Sequence, residues 1–150
     1  MEGQNDLLVY RARCCNPIRG EEIIGYVTRG RGVAVHARRC SNVQNLLYEA
    51  DRRISVEWSK NTSDQRGRQQ TYPVRVVVYC DDRAGMLKNL TAIISDDGTN
   101  IRSVDSRAGK DGEAIVEFIV EAEDVSHLDR IVTGLRTLPG VRDVERAAKV

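Results

Sequence analysis

Cys14, Cys15, His36 and Cys40 put three thiols and an imidazole close together in a chain of 150 residues. Thiolate sulfur and imidazole nitrogen are the donors that hold tetrahedral zinc, and His36-x3-Cys40 has a chelating spacing. The adjacent pair constrains any such site. Neighbouring residues on a straight strand point to opposite faces, so Cys14 and Cys15 can reach one metal only if the backbone turns near Asn16-Pro17. Two readings stand at this point: a structural zinc site, or thiols buried as small apolar groups. A disulfide framework fits poorly, because the four cysteines comprise this cluster and a distant Cys80. That usage suits reduced thiols or metal ligands in a reducing compartment.

The same stretch is rich in arginine. Arg11, Arg13, Arg19, Arg29, Arg31, Arg38 and Arg39 are opposed between Arg11 and Arg39 only by Glu21 and Glu22. The planar guanidinium fork matches phosphate oxygens and stacks on bases. Arg29 and Arg31 flank Gly30 at an expected hairpin tip, with Tyr26 nearby, so RNA backbone is a fitting partner. The plainer reading is a solvated basic face complementing an acidic second half. Residues 1–60 carry 10 basic and 7 acidic side chains, net +3, and residues 71–150 carry 11 and 14, net −3.

A second candidate lies in "DDRAGML". There Asp82 closes a strand, Gly85 permits close backbone approach, and Met86 and Leu87 open a helix whose free N–H groups can receive a carboxylate. An Asp-rich turn with glycine is also an ordinary strand-to-helix connection, and Met86, Leu87, Leu90 and Ile93 have the spacing of core residues. Cys80 is expected in the core and His127 on a solvated surface. Catalytic signatures are lacking: "GRGVAVH" has no Gly-Lys-Ser/Thr ending, there is no His-Glu-x-x-His, and no third group orients Cys14 and His36 as nucleophile and base. The chain is therefore expected to be non-catalytic.

The elements that would position these groups follow from periodicity. "LLVYRARC" reads as a strand, "EIIGYVT" and "VAVHA" as a hairpin, "NVQNLLYEAD" as a short helix, and "RISVEW" as a last strand. The stretch 59–71 has no apolar residue and reads as a polar linker. After it, "TYPVRVVVYC", "GMLKNLTAIISDDG", "NIRSVDSRA", "EAIVEFIVEA", "DVSHLDRIVTGLRTL" and "VRDVERA" give β-α-β-β-α-β, with Asp124 or Ser126 as N-cap of the second helix. The expected fold is α+β: a small antiparallel sheet with one helix over 1–58, the linker 59–71, and a ferredoxin-like domain over 72–150. With 41% hydrophobic and 30% charged residues the composition is that of a soluble globular protein. No run of 18 apolar residues and no leader pattern occurs, so a cytoplasmic location without membrane contact is expected.

Two family resemblances sharpen these expectations. Asp82-Arg83-x-Gly85-x-Leu87, then an amphipathic helix, then Gly98-x-Asn100-Ile101, resembles the ACT domain, a regulatory small-molecule sensor. That resemblance implies an amino-acid ligand near Asp82, Gly85, Met86, Leu87, Asn100 and Ile101, at a contact with a second protomer, and a homodimer joined through its sheets. Ala84 stands where the family often has Pro or Lys. Upstream, C-C-x-P-x-x-G-x-x-I-x-G-Y-x-T-x-G-R-G-x-x-V-H-x-x-x-C, spelled by Cys14 through Cys40, resembles the zinc-finger or ribosome-intersubunit module of long RelA/SpoT-type alarmone synthetase/hydrolases. It implies zinc on Cys14, Cys15, His36 and Cys40, contact with ribosomal RNA, and catalytic domains of a parent enzyme, outside these 150 residues, that make and hydrolyse guanosine tetra- and pentaphosphate. The function then expected is a regulatory region of the stringent response that docks on the ribosome and signals through its ACT domain. The alternative is an amino-acid-sensing or dimerising ACT module with a purely structural first module.

Overall fold

The structure, a computed structural model, describes residues 8–28, 30–45, 52–63 and 66–150. The chain divides into two compact units, 1–70 and 71–148. In the first, β1 (Val9–Arg11), β2 (Ile23–Thr28), β3 (Gly32–Ala37) and β4 (Arg53–Ile54) form a sheet of order β1-β3-β2-β4, with α1 (Ser41–Asn45) after β3. The β2–β3 and β2–β4 pairs are antiparallel and β1–β3 is parallel. The part of the expected helix beyond Asn45 lies outside the described residues.

Alternation along β2 divides the core in two. One side buries Ile24, Tyr26 and Ala37 with Cys15, Cys40 and Val43, and the other buries Ile23, Val33, Val35 and Val56. Gly25 lets the second layer close, because a Cβ there would lie 2.9 Å from Val56 Cγ1 and 3.0 Å from Ile54 Cγ1. The missing side chain thus seats β4 against β2, with Arg53 opposite Tyr26. Residues of the expected linker belong to this unit. Arg19 donates to the carbonyls of Ser59 and Asn61 while lying over the Trp58 ring, and Ser63 bridges Gln69 with Gln70 N–H on Thr62 O at 2.7 Å.

The second unit has β5 (Tyr72–Asp81), α2 (Met86–Asp96), β6 (Ile101–Ala108), β7 (Glu113–Ala122), α3 (Val125–Arg136) and β8 (Val141–Arg146), with sheet order β6-β7-β5-β8 and every pair antiparallel. This is the β-α-β-β-α-β order expected from periodicity. Val74, Val76, Val78 and Cys80 of β5 and Val116, Phe118 and Val120 of β7 fill one face, met by Leu90 and Ile94 of α2 and Ile131 and Leu135 of α3. Cys80 is fully buried, as expected, and burial pushes its thiol pKa up. Leu87 departs from the core reading and is 45% exposed.

His127 also departs from expectation, being buried rather than solvated. Asp124 caps α3 by accepting the His127 N–H at 2.8 Å, which fixes the ring under the helix start. Its Nδ1 accepts the Glu123 N–H at 2.9 Å, so Nε2 carries the ring proton and faces Thr99 Oγ1 at 2.7 Å and Asp97 Oδ2 at 3.2 Å. Asp97 also takes two contacts from Arg130, whose guanidinium holds its carboxyl below the usual range. The cluster ties the α2–β6 turn to α3. His127→Ala orphans the Glu123 N–H and the Thr99 contact, and we expect a loss of about 1–3 kcal/mol in the second unit. Urea titration followed by amide signals of β5 and β7 checks this; an unchanged midpoint refutes the latch.

Candidate metal centre and nucleic-acid interface

The four donors converge. After β1 the chain leaves the sheet, Asn16 adopts φ +44°, and Asn16 N–H bonds Ala12 O at 3.0 Å. This turn removes the obstacle posed by adjacent cysteines, since neither Cys14 nor Cys15 sits on a straight strand. His36 enters from β3. Cys40 enters from the start of α1, held by its N–H on Ala37 O at 3.0 Å.

All four donor atoms lie within 4.8 Å of one another. Cys14 Sγ is 3.4 Å from His36 Nδ1 and 3.5 Å from Cys40 Sγ, and Cys15 Sγ is 3.9 Å from Nδ1. Tetrahedral zinc with ordinary bond lengths needs edges of about 3.8 Å between sulfurs and about 3.6 Å between sulfur and nitrogen. The residues fit the ion. Tyr26 packs edge-on to His36, with centroids 5.8 Å apart, and so fixes the imidazole plane.

The electrostatics of the cluster are uneven. Burial pushes the Cys15 thiol up to about 12, although the Ala37 N–H partly offsets this. Cys40 is drawn down: burial opposes ionisation but is outweighed by N–H groups of Asn42 and Val43 and by the Cys14 and Cys15 thiols. Burial lowers His36, keeping the imidazole in the neutral form that a metal requires.

Six of the seven arginines lie among the described residues and separate into two groups. Arg11 donates to Asn16 Oδ1 at 3.0 Å and Pro17 O at 3.3 Å, which braces the cysteine turn. Arg19 holds the carbonyls of Ser59 and Asn61, and Arg39 pairs with Glu21 at 3.1 Å. Arg13, Arg31 and Arg38 are exposed and form no ion pair among the described residues; Arg31 lies over the Tyr10 ring. Arg29 lies outside the described residues. Sequence reasoning missed Arg53, which shares a concavity with Arg38, Ile24, Ile54 and Ser55.

In the second unit the six expected ligand residues fall into two places. Gly85 takes φ 84° as N-cap of α2, Asp82 is exposed with its N–H on Gly112 O at 2.8 Å, and Met86 is buried. Asn100 precedes β6 and Ile101 begins it opposite Val120, at the end of the sheet where β5 begins, whereas the Asp82 turn follows the end of β5. One chain therefore does not bring the two groups together. A groove of about 620 Å³ on this unit is lined by Asp97, Ser126, Asp129, Arg130, Thr133 and Gly134, and by none of the six.

Residues 1–59 match the RelA/SpoT RIS domain family, and residues 68–146 match the ACT domain family. The chain is 37% identical over 146 residues to a GTP pyrophosphokinase of Streptomyces coelicolor, covering 97% of this chain and 16% of that protein. It is 35% identical over 144 residues to the bifunctional (p)ppGpp synthase/hydrolase RelA of Mycobacterium tuberculosis, covering 96% of this chain and 18% of that protein. The chain thus spans less than a fifth of the length of these relatives. Among solved structures, the ACT domain from the GTP pyrophosphokinase of Chlorobium tepidum is 28% identical with a TM-score of 0.48, over 53% of this chain and 90% of that one.

Proposed function

The chain belongs to the ACT domain family, carried here together with a RelA/SpoT RIS domain, and from that premise we propose that it docks a RelA/SpoT-type enzyme on ribosomal RNA and relays regulatory signals through the ACT domain. On this reading the 150 residues are a non-catalytic regulatory region, and the synthesis and hydrolysis of guanosine polyphosphates belong to domains of a longer parent enzyme. The observation that carries the reading is the sorting of arginines. Arg11, Arg19 and Arg39 are consumed in holding the fold, while Arg13, Arg31 and Arg38 remain exposed on it without acidic partners among the described residues. Free guanidinium groups on a rigid support favour a phosphate backbone.

Cys14, Cys15, His36 and Cys40 would hold a structural zinc ion, which supplies cross-linking of the β1–β2 loop to β3 and α1 rather than chemistry on a substrate. Cys15 anchors this arrangement without metal as well, accepting the Ala37 N–H at 3.3 Å. The ACT domain has a second reading as amino-acid sensor and homodimer. The separation of the Asp82 turn from Asn100 means that a ligand touching both sets would sit between two chains, which agrees with the partner-protomer placement the resemblance implied.

The test is co-sedimentation of the chain with purified ribosomes across a salt series, beside an Arg13→Gln/Arg31→Gln variant. Three or four phosphate contacts predict an affinity that falls on the order of tens of fold between about 50 and 200 mM salt, and less steeply in the variant. Absence of binding at the lowest salt overturns docking and moves the function to the ACT domain.

A further inference from the structure

Arg38 and Arg53 face the same concavity of about 230 Å³, which Ile24, Ile54 and Ser55 also line among the described residues. They come from distant points in the sequence, one just after β3 and one on β4. The β2 strand between them brings them together. Arg38 N–H bonds Glu22 O at 2.9 Å, just before β2, and Arg53 stands opposite Tyr26 of the same strand. Gly25 lets β4 approach closely enough to make the second placement.

Three features of this cleft bear on what it holds. Neither guanidinium has a hydrogen-bond or ion-pair partner among the described residues, although Arg11, Arg19 and Arg39 of the same unit all do. Among the described residues no carboxylate lines it, and Glu22 contributes a backbone carbonyl to Arg38 while its side chain stays outside the lining. Two like charges sharing one concavity repel, and an anion between them reverses the sign of that interaction. The volume lies below the roughly 300–1,000 Å³ of a whole small-molecule site, so it suits one group of a larger ligand.

We propose that Arg38, Arg53 and the Ser55 hydroxyl form a phosphate cradle for one or two consecutive backbone phosphates of RNA. Two guanidinium forks offer planar donor pairs to non-bridging oxygens, Ser55 offers a further donor, and Ile24 with Ile54 floors the cleft without competing for the donors. The cradle rests on the RNA-docking reading above and assigns it a site that includes Arg53, outside the arginine-rich stretch.

The experiment is filter binding of the whole chain to purified ribosomal RNA over a salt series. It compares the wild type with Arg38→Gln/Arg53→Gln and with Arg102→Gln/Arg107→Gln, which removes the same charge from the second unit. The cradle predicts that the first variant lowers the slope of log affinity against log salt by about 1 to 2 while the control leaves it near wild type. Thermal melting and metal content of each variant establish that it is folded. An unchanged slope in a folded Arg38→Gln/Arg53→Gln chain, or an equal drop in the control, overturns the cradle while leaving RNA docking standing. Failure of the wild type to bind RNA at low salt overturns both. A separate arm titrates inorganic phosphate and watches the Ser55 amide: saturation at micromolar phosphate would make this a free-anion pocket and overturn the assignment to RNA, whereas a weak millimolar response agrees with it.

Discussion

Stripping metal from the purified chain with a strong chelator should unfold the first unit and leave the second folded. Among its described residues the first unit has strands of three, six, six and two residues and two small apolar clusters. A domain of this size is marginal on core burial alone, and a structural metal commonly supplies the difference. Apparent zinc-binding free energies in finger peptides reach about 10–16 kcal/mol near neutral pH, which exceeds the total stability of most small domains. Loss of the ion would therefore dominate every other term here. Cys40→Ser should reproduce the effect, because Cys40 also ties α1 to the end of β3. The measurement is an amide spectrum before and after chelation, with metal content determined on untagged protein. Retention of the β2 and β3 signals in metal-free protein would return the four side chains to the plainer reading of buried thiols.

Phe118→Ala should do the reverse, unfolding the ACT unit while sparing the first. Phe118 is fully buried on β7, opposite Val76 of β5 and Val104 of β6. It is the only phenylalanine in the chain, and the valines around it cannot expand to refill its volume. Truncation of this kind costs about 3–5 kcal/mol, a large share of the roughly 5–15 kcal/mol that stabilises a domain. The readout is a two-transition melt in which only the transition assigned to β5 and β7 moves. Metal content and RNA binding should persist in this variant if docking belongs to residues 8–63. Their joint loss would show that the units fold as one.

The second unit was legible in the sequence because its periods are clean. Alternation at Val74, Val76, Val78 and Cys80 and the helical stripe at Leu128, Ile131 and Leu135 each point to one buried face, and Gly and Pro punctuate the breaks. The metal donors were legible by type and spacing, but their convergence depended on Asn16 adopting a positive φ, which the residue tolerates without requiring. The arginines were not separable beforehand. Whether a guanidinium is free depends on which carbonyl or carboxylate the fold delivers to it, and Arg19 meets Ser59 and Asn61 forty residues on. His127 was misplaced for the same reason: its burial is set by Thr99 and Asp97, which arrive from the far side of a hairpin.

The bridge that joins Thr62 and Ser63 to Gln69 and Gln70 gives the C-terminal end of the first unit a mechanical character. A pull along the chain would run from Thr62 to Gln70 through one backbone hydrogen bond and the adjoining Ser63–Gln69 bridge, bypassing the residues between. Such a rung resists by only about 1 kcal/mol per bond, far less than either core. It would give way first under load and let the bridged ends move apart. The bridge is thus a fuse with slack behind it, letting the span lengthen before tension reaches the Cys/His cluster or the ACT sheet.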